Sequence, residues 1–517
     1  MNSDNVLNIL WRGVKSKPRK SLPDKTTQVT QGDEVFKVKK EESTSDESDV
    51  EEVTHLQSVK VKAEPNPERI VGLRKKNNIT VKGKNLPPPL ESFDELASVY
   101  GVDENIVNNL KSAGYDGPTP IQMQAIPALL KGRQVLACAP TGSGKTVAFL
   151  APVLASLGKP SRKGFRALIL SPTRELAKQI FRECTLLSAG TGLKANYITK
   201  VRQDDTYGTK FSSKFDVLIS TPNRLIHLLR LKPDLINLQS VEWLVVDESD
   251  KLFEAGTRGF RDQLAEIYKA CDNENLKRAM FSATYTVHVA RWCRKNLKKV
   301  VEIAVGHRNT TVDKVEQELV YAGSEQGKLH AFRDLIRKGM SPPVLVFVQS
   351  KDRAKQLFDE LIYDGINVDV IHSDRTQHQR DNVVRAFREG KIWVLICTDI
   401  MGRGVDFVGI KLVVNYDFPN SAISYIHRIG RTGRAGMAGR AVTYFTDEDK
   451  PALRTIARVM KDSGCPVPEY MLSLKKTSKR DRLKMENTVP DREDISTGAP
   501  KLKRFKTNQK LKKKSIQ

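Results

Sequence analysis

Ala139-Pro140-Thr141-Gly142-Ser143-Gly144-Lys145-Thr146 decides the reading of this 517-residue chain. It follows a short apolar run (134–138, QVLAC) and precedes a helix-length apolar stretch that continues VAFLAPVL. A turn of small residues between strand and helix lets successive backbone N–H groups face an anion, and the helix adds the positive end of its dipole. Lys145 has the reach for the outer phosphates of a nucleotide, and the Thr146 hydroxyl suits Mg²⁺. Ala139 stands where such loops usually begin with Gly.

A second anchor lies further along. Residues 241–248 (VEWLVVDE) form an apolar strand ending in Asp247 and Glu248. Parallel α/β sheets place their ligands at the carboxyl ends of strands. Asp247 is expected to hold Mg²⁺, and Glu248 to orient and polarise an attacking water.

Around these anchors, short β-branched runs alternate with helix-length segments. One series comprises 134–138, 167–171, 215–220, 241–247 and 278–282; the other comprises 344–349, 368–372, 392–398, 412–417 and 441–445. Continuous apolar strands separated by helices indicate parallel sheets covered on both faces. Two series predict two α/β domains, at 89–305 and 315–473, with a polar linker at 306–314. Residues 1–88 and 474–517 are expected to be disordered extensions. The first is polar and carries an acidic serine run (41–52, EESTSDESDVEE); the second is Lys/Arg-rich.

The formal net charge is +25, which favours a polyanionic partner. No stretch has the ~18 uninterrupted apolar residues of a membrane span, and the N-terminus lacks a signal pattern. The six cysteines are scattered, which argues against a disulfide framework or a zinc site and fits a reducing compartment. Taken together, these features predict a soluble intracellular protein with no membrane partner.

The motifs then become specific. The sequence resembles a DEAD-box RNA helicase of superfamily 2, with Asp247-Glu248-Ser249-Asp250 as its box and Ser249 in place of Ala. The resemblance implies two tandem RecA-like domains, ATP and Mg²⁺ as cofactors, and RNA as partner. Ser282-Ala283-Thr284 matches the motif that couples hydrolysis to strand separation, together with Asp250 and His427. Gly114-Tyr115 and Pro118-Thr119-Pro120-Ile121-Gln122 resemble the Q motif, placed at 92–122. There Gln122 is expected to read the adenine edge, since an amide both donates and accepts, with Phe93 and Tyr115 near the base.

Pro172-Thr173-Arg174 and Thr221-Pro222-Asn223-Arg224 match two motifs that grip the RNA backbone. Asn223 stands where the family has Gly, and the Gly-Gly turn expected between these motifs is absent from 197–202. In the second half, His427-Arg428-Ile429-Gly430-Arg431-Thr432-Gly433-Arg434 supplies arginine fingers, Arg431 and Arg434, for the γ-phosphate. Gln349-Ser350, Arg380, Thr398 and Arg403-Gly404 are further expected RNA contacts. Asp406 is expected at the ribose or the closed interface, and Tyr416 either in the nucleotide pocket or in the core.

Residues 241–253, 344–350 and 464–470 bring the chain closest to the Rok-type subfamily. That resemblance implies a nucleolar enzyme acting on small-subunit pre-rRNA in pre-ribosomal particles; a monomer is the default expectation, with room for a protein activator. Two alternatives remain: a slow ATP-gated RNA clamp or assembly scaffold, and a DNA-directed superfamily 2 motor. Val38-Lys39-Lys40-Glu41 and Val61-Lys62-Ala63-Glu64 have the form of sumoylation acceptors, though chance explains such short patterns more readily; Ser43, Ser45 and Ser48 have the form of acidophilic-kinase sites.

Overall fold

The computed structural model describes residues 66–198, 212–231, 236–253, 260–306, 315–399, 407, 409–434, 437–478, 480–482, 485, 488 and 490–495. The N-terminal modification patterns, most of the linker, and Arg403, Gly404 and Asp406 lie outside these residues.

Two sheets organise the chain. The first contains β1 (Ile79–Lys82), β2 (Val135–Cys138), β3 (Ala167–Leu170), β4 (Ala195–Tyr197), β5 (Val217–Ser220), β6 (Trp243–Val246), β7 (Lys277–Ser282) and β8 (Val301–Val305). Among the described residues its order is β1-β8-β2-β7-β6-β3-β5-β4. Every pairing is parallel except that of β1 with β8. The second contains β9 (Val315–Gly323), β10 (Val344–Val348), β11 (Val368–Ile371), β12 (Val394–Thr398), β13 (Leu412–Asn415) and β14 (Gly439–Thr446). Its order is β11-β12-β10-β13-β14-β9, parallel throughout.

Both faces of each sheet are covered, as the unbroken apolar runs require. Successive strand residues point to opposite sides. Ile169 and Val245 therefore join one buried cluster of the first domain, while Leu168, Leu170, Leu244 and Val246 join the other. In the second domain Leu345 and Phe347 face one cluster and Val344, Val346 and Val348 the opposite one. Tyr416 is fully buried, with its ring edge-on to Phe332 and Tyr444, and so belongs to the core.

The boundaries expected for the extensions need correction at both ends. Ahead of residue 89, Pro67–Lys76 is a helix whose N-cap, Asn66, accepts from the Glu68 N–H. This helix buries no residue of its own, so periodicity could not reveal it. It is held through Leu73, half-buried against the core, and through Arg74, which donates to Gln124 Oε1 and to the Pro87 carbonyl. At the other end, residues 490–495 pack back on the second domain, with Ile495 only 4% exposed.

Candidate nucleotide site and RNA cleft

The phosphate loop leaves β2 and enters the helix Lys145–Leu157. Gly144 has φ +86°, a conformation open to glycine, and a Cβ there would stand 2.5 Å from Gln122 Nε2. Gln122 is completely buried. Its Nε2 donates to the Gly144 carbonyl at 3.0 Å, and its Oε1 accepts from the Thr119 N–H at 2.9 Å. The Thr119 hydroxyl donates to the Ser143 carbonyl. In this structure the Gln122 amide braces the loop. Phe93 is packed in the core at 2% exposure, and Tyr115 donates to Glu183.

Lys145 is buried, and its Nζ donates to the Ala139 and Pro140 carbonyls, each at 2.8 Å. Burial pushes its pKa down, while Glu248 and Asp247 pull it back up. Asp247 and Glu248 are each 5% exposed at the end of β6. Burial, and then the charge of Glu248, push the Asp247 carboxyl up to about 7. Glu248 itself adopts φ +50°, a costly backbone for a residue with a side chain, and such strain is characteristic of functional positions. Its Oε2 is buried with no hydrogen-bond partner.

This donor set fits a divalent cation. It offers hard oxygen ligands, excess negative charge and an unspent carboxylate oxygen. Thr146 and Asp247, the residues expected to hold Mg²⁺, would supply such ligands, and the ion would neutralise phosphate charge. Glu248 lies beside Asp247, where a base or water-orienting group is needed.

The second domain completes the site. Helix Ala422–Ile429, capped by Ser421, ends at Gly430. The Thr141 hydroxyl of the phosphate loop donates to the Gly430 carbonyl at 2.6 Å. A Cβ on Gly430 would meet that hydroxyl at 2.3 Å, so the close approach requires glycine. Arg434 lies against Gly142 and donates to the Gly430 carbonyl; Arg431, 2% exposed, donates to the His427 carbonyl. His427 Nε2 donates to Asp250 Oδ2 at 2.6 Å, and Thr284 Oγ1 donates to the same oxygen at 2.9 Å. Ser282 Oγ accepts from the Thr284 N–H. One carboxylate therefore joins the box, the Ser-Ala-Thr segment and the opposite domain. Ser249 between them is fully buried, and its hydroxyl has no partner.

The expected RNA residues gather at carboxyl strand ends: Pro172 and Thr173 after β3, Thr221 after β5, Gln349 and Ser350 after β10, and Thr398 closing β12. Thr173 caps its helix, Arg174 is exposed, and Arg224 donates to the Ile198 carbonyl. Two of the expected RNA residues are engaged within the chain. Arg380 is 8% exposed, donates to Gln377, and lies 3.4 Å from Glu175 of the first domain. It acts as a bridge across the cleft, and Lys178–Asp381 at 2.7 Å forms a second one. Gln349 has its amide occupied by the C-terminal segment.

Sequence reading also missed a buried ion network in the second domain. Arg353 pairs with Glu325 at 2.5 Å and Asp417 at 2.7 Å. Lys328 pairs with Glu325, and Arg492 with Glu325 and Asp449. Asp417 at the end of an apolar strand was its one local signal.

A phosphate loop in one domain, closed by arginines from another, defines a two-domain ATP-hydrolysing motor. Comparison with known proteins agrees. Residues 119–292 match the DEAD/DEAH box helicase family, and 327–436 the helicase conserved C-terminal domain. The chain is similar to the probable ATP-dependent RNA helicase DDX52 of Bos taurus, with 55% identity over 86% of this chain and 75% of that protein. It is 42% identical to the ATP-dependent RNA helicase ROK1 of Scheffersomyces stipitis, over 85% and 79% respectively. Among solved structures it resembles S. cerevisiae Dbp5 bound to RNA and ADP BeF3, with TM-score 0.64 and 25% identity, covering 77% of this chain and all of the other. The chain belongs to the DEAD-box ATP-dependent RNA helicases, of the DDX52 and ROK1 type.

Proposed function

We propose that this helicase remodels RNA duplexes or RNA–protein complexes by ATP-gated closure of its two domains. The observation carrying this reading is the Thr141–Gly430 contact, made beside His427–Asp250. It brings Arg431 and Arg434 to a phosphate loop that lacks positive groups of its own beyond Lys145. In this reading Thr146 and Asp247 would hold Mg²⁺, which would neutralise charge on the outer phosphates. Glu248 orients the water and accepts its proton. The two arginines balance charge on the transferred phosphoryl group. Phosphate would also replace the Ala139 and Pro140 carbonyls as partner of Lys145.

RNA lies across the strand ends of both domains and favours the closed state. ATP and RNA therefore strengthen each other's binding by the same factor. Asp250, shared by Thr284 and His427, reports closure to the box. Arg403, Gly404 and Asp406 are assigned to RNA and to the interface by motif alone.

We further propose small-subunit pre-rRNA in pre-ribosomal particles as the substrate and the nucleolus as the location, with the chain acting as a monomer. The likeness to proteins called ROK1 and DDX52 supports this, as does the +25 charge. Crosslinking the protein to RNA in cells and sequencing the bound RNA is the test. Enrichment of small-subunit pre-rRNA is expected; reads spread over messages would overturn the ribosomal assignment.

A further inference from the structure

The chain returns to the second domain after its last helix. Residues 490–495 (PDREDI) lie across the carboxyl ends of β9, β14 and β10, touching the residue or turn that follows each strand. Arg492 reaches Glu325 at 3.1 Å and Asp449 at 2.6 Å, with its side chain 2% exposed. Its Nε donates to Gln349 Oε1 at 2.9 Å, and Gln349 Nε2 donates to the Pro490 carbonyl at 2.7 Å. Arg353 donates to the Glu493 carbonyl. Gln356 donates to Asp494 Oδ1 and accepts from the Ile495 N–H. Ile495 enters the apolar cluster of Val348, Ala354 and Leu357.

Two features of this strap go beyond bracing. It takes both polar ends of the Gln349 amide, on the strand-end edge that also carries Ser350 and Thr398. Its outward side chains, Asp491, Glu493 and Asp494, are acidic and exposed. The one cation, Arg492, is turned inward and neutralised by Glu325 and Asp449. A brace needs Arg492, Ile495 and the Asp494 oxygen on Gln356; it does not need the two further solvent-facing carboxylates, Asp491 and Glu493. Placed along a phosphate path, those charges oppose a polyanion, most strongly at low salt.

We propose that residues 490–495 are a resident competitor of RNA: docked, they occupy Gln349 and set a negative fringe on the RNA-binding edge of the second domain, and RNA displaces them as the clamp closes. This rests on the reading that the Gln349–Ser350 edge faces RNA. The occupant is a segment of this chain, so the competition is intramolecular and independent of protein concentration. It raises the RNA concentration needed for activation and leaves the chemical step alone.

The test uses the full chain with Asp491→Asn and Glu493→Gln combined, which leaves Arg492, Asp494 and Ile495 in place. In RNA-stimulated ATP hydrolysis the apparent KM for a single-stranded RNA is expected to fall on the order of fivefold at low salt. The difference should shrink as salt is added, with kcat unchanged. An unchanged or raised KM overturns the proposal. In the unmodified chain, hydrogen exchange at the Ile495 amide should speed up when RNA and a non-hydrolysable ATP analogue are added together; protection that persists with RNA bound also overturns it. Thr398→Ala separates the underlying reading. If it leaves the RNA KM unaltered, the edge does not face RNA. If it raises the KM while the double variant does nothing, only the competitor fails.

Discussion

The carboxyl edges of the two sheets both hold clustered, nearly dry charges, and they handle them in opposite ways. In the first domain Asp247 and Glu248 face one cation, Lys145, whose ammonium is spent on two loop carbonyls. Burial and Glu248 consequently push the Asp247 carboxyl up to about 7. In the second domain, carboxylates Glu325, Asp417 and Asp449 meet cations Lys328, Arg353 and Arg492. There burial would push the Asp417 carboxyl up, yet Arg353, Lys328 and Arg492 hold it below the usual range. Charge satisfied within the chain builds structure. Charge left unsatisfied prepares a place for a ligand that carries the missing sign.

The two edges should therefore fail in different currencies when one carboxylate is neutralised. Glu248→Gln is expected to lower kcat by about 10²–10⁴-fold, while the melting temperature stays level or rises, because a buried repulsion is relieved. RNA-stimulated phosphate release and a thermal melt read both. Asp417→Asn is expected to do the reverse. Breaking a buried pair costs about 3–5 kcal/mol, seen as a lowered melting transition and as faster hydrogen exchange confined to β10, β13 and the helix Lys351–Tyr363.

Acid separates the edges by sign. Asp417, with a depressed pKa, lends stability above its ordinary value, and that stability is lost as pH falls through the lower folded value. Asp247, with a raised pKa, contributes the opposite slope: taking up a proton below about 7 relieves its burial. In the nucleotide-free protein, hydrogen exchange of the second sheet should accelerate below pH 4 by more than that of the first. Equal acceleration would break the contrast.

A smaller effect sharpens it. Ser249→Ala removes a buried hydroxyl with no partner, so a gain of about 1 kcal/mol in stability is expected, with ATP hydrolysis unchanged. A loss of stability would mean that the hydroxyl has an unseen role. Smallest is Lys178→Met, which removes a half-exposed bridge across the cleft. It should weaken RNA-dependent closure by roughly 0.2–1 kcal/mol, less at high salt.

The sequence made the unsatisfied edge legible and hid the satisfied one. Lys145, Asp247, Glu248, Ser282 and Thr284 sit in short runs that close or follow strands, and Arg431 in one that follows a helix, where loop chemistry is local. The alternation of β-branched runs likewise disclosed both parallel sheets. Arg353 meets Asp417 across 64 positions and Arg492 meets Glu325 across 167; no local pattern encodes such pairs. Ala-to-Ser at 249 resembled a subfamily mark, and the structure adds a buried, unpaired hydroxyl. Gln122, Arg380 and Gln349 were recognised by motif, but a motif identifies a position, not the partner its side chain has taken in this arrangement.

The strand β1 gives the first domain a mechanical property. It pairs with β8 from Ile79–Val305 to Lys82–Glu302, and the Gly306 N–H bonds the Asn78 carbonyl just where the linker begins. Without it, β8 would be the sheet's outer strand, and a pull from the linker could peel it away one bond at a time. With β1 on one side and β2 on the other, traction along the linker loads two ladders in shear, so their hydrogen bonds must yield together. A pull along the chain is thereby delivered to a seam that resists unzipping, and a few residues ahead of the first domain serve as its tendon anchor.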